Sequence, residues 1–165
     1  MKLSLPLALL ALTSCAAPAC AAGMADQVSV IDPHVRLAPP GAKVTGAYMT
    51  LRNAGDRAAP VVTAGSAAAK VTELHNHIND GGVMRMRQVK EIVVPAKGEV
   101  MLKPGSYHVM LIDMQAPLKD GDRVAITLGF ADGSSKTVEV PVKRPTAAMS
   151  PTGAMGGMDH SKMKH

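Results

Sequence analysis

The chain has no tryptophan, one phenylalanine (Phe130) and two tyrosines (Tyr48, Tyr107) in 165 residues. A core therefore cannot rest on aromatic rings, and Val, Leu, Ile, Ala and Met must fill it. Single-stranded nucleic acid would find almost no ring to stack on. Only two cysteines occur, Cys15 and Cys20, and both fall in the first 22 residues. Once that stretch is removed, neither a disulfide nor a thiolate ligand is available. Beyond it, no apolar run reaches the roughly 18 residues that a membrane span needs. No long stretch has a 3.6-residue period, and no internal repeat is present. An activated Ser or Cys nucleophile and an acid/base carboxylate pair are also missing. Asp80, Asp113, Asp120 and Asp122 fall in or near turns and read as turn formers. An enzyme is therefore disfavoured.

What is present divides the chain into three. Residues 1–22 read as an export signal: "MKLSLPLALLAL" is one Lys followed by a short apolar stretch, and "APACAAG" offers small residues for cleavage near Ala22. In a competing reading "LTSC" is a lipobox and Cys15 the acylated residue, with lipid attachment to a membrane. Both put the mature protein outside the cytoplasm, in the periplasm. Residues 23–143 form the folded domain. Residues 144–165, rich in Pro, Gly, Ser, Ala, Met and His, have no apolar periodicity and are expected to be a disordered tail. The net charge of +5 and pI near 9.4 fit a solvated basic surface. An acidic protein partner or an anionic membrane stays open; nucleic acid is not expected.

Within the domain, short alternating segments are punctuated by Gly, Pro, Asn and Asp. The candidate strands are "QVSVID", "GAYMTLRN", "APVVTA", "KVTELHNHI", "VMRMRQV", "EIVVP", "EVMLK", "SYHVMLIDM", "RVAITLGF" and "KTVEVPVK". Turn signals such as "NDGG", "KPGS" and "KDGD" separate them. This predicts an all-β, antiparallel sandwich or barrel. "GSAAAK" allows one helical turn at most.

The chemistry gathers in "TELHNHINDGGVMRMRQV". A four-residue loop, Asn79–Gly82, closed by Ile78 and Val83 would set His77 opposite Met84 and His75 opposite Met86. Residues two apart share a strand face, so all four would point the same way. A second hairpin is expected to turn at Pro104-Gly105, in type II fashion, and its return strand puts His108 and Met110 on one face. Thioethers are soft donors that favour Cu(I), and imidazole also suits copper. Zinc would more often recruit Cys or carboxylate, and calcium or magnesium would need oxygen clusters. Taken singly, Met49, Met84, Met101 and Met114 read as core, and His34 as a surface or outer group. His77 and Met84 remain secondary candidates for the metal.

His75, ten residues, Met86, twenty-one residues, His108, one residue, Met110 is the H-x10-M-x21-H-x-M pattern. With the flanks "AYMTLRN", "ELH", "GVMRMRQV" and "LKPGSYHVMLIDMQAPLKDGD", residues 27–143 resemble the periplasmic copper chaperone PCu(A)C family. The resemblance implies a cupredoxin-like β-sandwich that binds Cu(I) through His75, Met86, His108 and Met110. It also implies delivery to the CuA-containing subunit of cytochrome oxidase or its assembly factors. The family often has a Trp where His34 or Val35 stands, and a Met where Asn79 stands. A blue-copper electron carrier is disfavoured for want of a Cys ligand. A periplasmic copper-sequestering, resistance-type protein would need the same ligands, so it stays the alternative. In the tail, Met149, Met155, Met158, His160, Met163 and His165 read as a metal-capture tract for Cu(II) or Cu(I).

Overall fold

The computed structural model describes residues 23–145, so the segment read as an export signal and the Met/His tract lie outside the described residues. One short helix, α1 (Met24–Gln27), precedes ten strands: β1 (Val28–Arg36), β2 (Val44–Asn53), β3 (Ala59–Gly65), β4 (Ala69–Asp80), β5 (Val83–Gln88), β6 (Ile92–Val94), β7 (Glu99–Leu102), β8 (His108–Met114), β9 (Arg123–Phe130) and β10 (Ser135–Lys143). Each of the ten expected segments forms a strand.

The strands make a sandwich. One layer holds β5-β4-β8-β2-β1, with β7 also on β2; the other holds β10-β9-β3-β6. A short parallel pairing of β1 with β10, Val35 opposite Val142, joins them. Alternation supplies the core, because every second side chain faces inward. Val124, Ile126, Leu128 and Phe130 of β9 are buried against Ala47, Met49 and Leu51 of β2 and Val109 and Leu111 of β8. Phe130 is the one aromatic side chain that is fully enclosed there, and aliphatic residues do the rest.

Three expectations are corrected. The β4–β5 hairpin is tighter than a four-residue loop: Asp80 pairs with Val83, leaving Gly81-Gly82 as the turn. Both glycines have positive φ, 60° and 88°. That is the geometry of a two-residue primed turn, whose twist matches that of the strands. Asn79 Oδ1 accepts the Gly82 N–H at 2.7 Å. The register therefore moves by two residues. His77 faces Met86, Asn79 faces Met84 and His75 faces Gln88. A shift of two preserves the face that each side chain occupies.

The second correction concerns β7 and β8, which are not a hairpin. Both run antiparallel to β2, β7 beside Met49–Arg52 and β8 beside Val44–Ala47. They are one interrupted strand, with Lys103–Tyr107 bulging between them. Pro104-Gly105 does turn as expected: Gly105 has φ 81° and Ser106 N–H bonds Lys103 O at 3.0 Å. Third, the helical turn forms at Met24–Gln27 and not at "GSAAAK". Its free N–H groups bond Asp132 and Ser134, more than a hundred residues away in sequence.

Met49 is core, and Met114 packs partly buried against it, whereas Met84 and Met101 are exposed. Met84 stands on the edge strand β5, all six of whose residues are exposed.

Ile126 is fully buried, on the inner side of the layer that does not carry the site described below. Ile126→Ala should lower stability in urea by about 2–5 kcal/mol, the usual cost of emptying such a position. A loss under about 1 kcal/mol would mean that the two layers do not meet there.

Candidate metal centre

The outward face of the β5-β4-β8-β2-β1 layer carries the polar and sulfur side chains. Leu74, Val109 and Ala47 point inward and are 4%, 0% and 0% exposed. Their strand neighbours His75, His108, Met110 and Gly46 must then point outward. Register aligns them. His75 is opposite His108 and Glu73 opposite Met110 across β4 and β8. Gly46 of β2 is opposite Met110, and on the far side His77 meets Met86.

The rings cluster accordingly. The His108 centroid lies 5.2 Å from that of His77 and 5.9 Å from that of His75. Tyr48 lies 6.2 Å from His108, and His34 lies 5.5 Å from Tyr48. Gly46 makes room for this arrangement. A Cβ there would stand 3.0 Å from the Tyr48 hydroxyl, so a larger residue would push the tyrosine off the rings it covers. Although it faces outward, His108 is only 2% exposed.

Three nitrogens in this cluster have no partner. His75 Nδ1, His77 Nδ1 and His108 Nε2 are buried and make no hydrogen bond. A buried polar atom left unpaired costs roughly 1–3 kcal/mol, so three on one face call for a ligand. At two of the rings the opposite atom is satisfied: His75 Nε2 meets Glu73 Oε2 at 2.7 Å, and His108 Nδ1 meets the Ser106 carbonyl at 2.9 Å. The bulge between β7 and β8 puts that carbonyl in place. Among the described residues, no three His, Cys, Asp or Glu side chains stand close enough to hold an ion between them. Other donors must complete any metal site here, and the thioethers of Met86 and Met110 are on the same face.

The arrangement brings together His75, His77, Met86, His108 and Met110. It leaves Met84 toward the hairpin tip, opposite Asn79. Met155, Met158, His160, Met163 and His165 fall outside the described residues. A groove of about 310 Å³ reaches Met110 past Leu37, Pro39, Val44 and Tyr48. Sequence reasoning overlooked Glu73, although "ELH" holds the i, i+2 spacing that signals a shared face. It also treated His34 as isolated, while the structure stacks it on Tyr48.

Comparison with known proteins bears on this face. The family described as "Putative lipoprotein LpqE-like" matches residues 28–142. "Putative lipoprotein Lxx21020" of Leifsonia xyli subsp. xyli (strain CTCB07) is 39% identical over 141 residues, covering 82% of this chain and 84% of its own. Among solved structures, apo-DR1885 from Deinococcus radiodurans is similar at 33% identity and TM-score 0.58, over 87% of this chain and 97% of its own. Its Cu(I) form matches at 35% identity and TM-score 0.58, over 69% and 78%. The copper-bound PCuAC domain from PmoF2 shares the fold at TM-score 0.61 and 23% identity, over 72% and 94%. The cupredoxin-like sandwich expected from the sequence is thus the fold found.

Burial pushes the pKa of His108 below the ordinary imidazole value of 6.5; the Ser106 carbonyl opposes this, and His77 and His75 add to it. A lowered folded-state pKa means that folding favours the neutral ring. The stability His108 contributes is complete above the unfolded value near 6.5 and is lost as pH falls through the folded value. Urea titrations from pH 7.5 down to 5 should therefore show falling stability, with a shallower fall in His108→Gln. Equal slopes in both proteins would contradict this account of the ring.

Proposed function

The chain belongs to the LpqE-like family, and from that membership and the donors of its outer face we propose that it is an extracytoplasmic copper carrier. It holds one Cu(I) through His75, Met86, His108 and Met110, and it delivers the ion to the assembly of the CuA centre of cytochrome oxidase in the periplasm. The observation that carries the reading is the group of unpartnered imidazole nitrogens on the face that also holds two thioethers. Imidazole with thioether is a soft, neutral donor set suited to Cu(I). The likeness to DR1885, solved with Cu(I), supports the choice of ion.

The ligands also suit release. Met86 is 44% exposed, and the groove beside Met110 opens to solvent, so an incoming donor can replace the thioethers one at a time. Exposure of this kind favours transfer over permanent storage, and nothing in the donor set calls for an enzymatic step. His77 adds a third nitrogen beside His108 and supports the site without being one of its four ligands. In this reading the tail, through Met155, Met158, His160, Met163 and His165, captures copper as Cu(II) or Cu(I); Cu(II) takes one electron from an external one-electron reductant, and the ion passes to the core as Cu(I). Among the described residues no helix is long and apolar enough to cross a membrane. Export, with or without lipid at Cys15, places the carrier where its recipient is.

In a chain ending at Pro145, single replacement of His75, Met86, His108 or Met110 should weaken Cu(I) binding. The loss should exceed the roughly 10–100-fold expected for removing an outer-shell partner, and the fold should be retained by circular dichroism. His77→Ala should have a smaller effect, and Met84→Ala less still. Unchanged affinity in all four single variants would remove the proposal. Transfer is tested separately, by mixing Cu(I)-loaded protein with an apo CuA domain. Appearance of the CuA absorption once the recipient is oxidised by one electron per two coppers, with ferricyanide as oxidant, supports delivery, and retention of the ion points to sequestration.

A further inference from the structure

The two imidazoles proposed as ligands present different nitrogens, and the hydrogen bonds determine which. Glu73 Oε2 lies 2.7 Å from His75 Nε2. An ionised carboxylate only accepts, so in the neutral ring Nε2 carries the proton and Nδ1 keeps a bare lone pair. At His108 the Ser106 carbonyl, also an acceptor only, lies 2.9 Å from Nδ1. There Nδ1 carries the proton and Nε2 is bare. The bare atoms, His75 Nδ1 and His108 Nε2, are the ones buried without a partner.

We propose that Glu73 is a positioning residue for metal binding: by accepting the His75 Nε2–H it fixes the tautomer and ring orientation that turn Nδ1 toward the site. This rests on the copper-binding reading above. Strand geometry supplies the reach, since residues 73 and 75 share the outward face of β4. Partial burial strengthens the bond, because the His75 and Glu73 side chains are only 14% and 27% exposed. Among the described residues the Glu73 carboxylate makes no ion pair with Lys or Arg, so no cation competes with the His75 N–H for it. A carboxylate on the far nitrogen of a ligating imidazole also raises the basicity of the near one. The proposal gives the Glu of "ELH" a role on the metal side of the sheet, although it never touches the ion.

The test uses the full chain labelled with 15N in histidine, compared with Glu73→Gln and Glu73→Leu. Long-range proton–nitrogen spectra report the tautomer of each ring. Cu(I) affinity is read from the His75 signals against a competing Cu(I) chelator. In the wild-type chain His75 should be protonated on Nε2 and His108 on Nδ1, and Cu(I) should shift His75 Nδ1. Glu73→Leu should mix the His75 tautomers and weaken Cu(I) binding about 10–100-fold. Glu73→Gln, whose amide oxygen accepts the same bond, should keep the tautomer and most of the affinity. A wild-type His75 protonated on Nδ1 would overturn the proposal, and that measurement needs no variant. So would a Glu73→Leu chain that keeps both tautomer and affinity. Absence of any Cu(I)-induced shift at His75 and His108 would count against the copper reading itself, while the tautomer result would still decide the role of Glu73.

Discussion

The pairing of β4 with β8 is the constraint on which the rest of the structure depends. It places Leu74 beside Val109 on the inner side and His75 beside His108 on the outer side. Because side chains alternate, the first pair cannot be buried without presenting the second. Apolar burial therefore fixes the placement of the two imidazoles. A slip of one residue would turn Leu74 out to solvent and the imidazole into the core, and both changes are unfavourable. The four residues proposed as ligands all stand on strands, so none of them depends on a long loop.

Two flanking pairings complete the face, and they differ in character. β2 lies toward the middle of the layer and contributes Gly46 and Tyr48; Tyr48 stands beside His108, whose burial lowers its affinity for protons. β5 lies at the edge and contributes Met86, which stays open to solvent. The centre is thus closed at one imidazole and open at one thioether. In the proposed site, a buried nitrogen would hold the ion, and a polarisable, solvent-exposed sulfur at an edge could be exchanged. Arg85 and Arg87 on the same edge strand discourage edge-to-edge pairing with a second chain.

Much of this was legible in the sequence, for physical reasons. All ten strands could be read, because alternation and turn residues act locally. That His75, His77 and Met86 share a face, and that His108 and Met110 share one, could be read as well, since it needs only parity; that the face is the outer one could not. The exact register across Gly81-Gly82 could not. The same residues are compatible with a two- or a four-residue loop, and only the twist of the assembled sheet favours the former. The partnership of β7 and β8 with β2 was hidden because it joins segments some fifty to seventy residues apart. The helix at Met24–Gln27 was hidden because its N–H groups bond the Asp132–Ser134 turn. Met84 and Met101 read as core by residue type, yet Met84 lies on an edge strand and Met101 on an outward face, where type alone gives no guidance. The Glu73–His75 contact was within reach of the parity argument, but attention to ligand types passed over the carboxylate.

The central claim is that parity and register assemble a mixed nitrogen and sulfur site for Cu(I) on the outside of the sandwich. X-ray absorption on the Cu(I)-loaded chain ending at Pro145 tests it most directly. The account predicts a first shell with both sulfur and nitrogen scatterers, and loss of sulfur amplitude in Met86→Ala and in Met110→Ala. A shell without sulfur in the unmutated domain would contradict it.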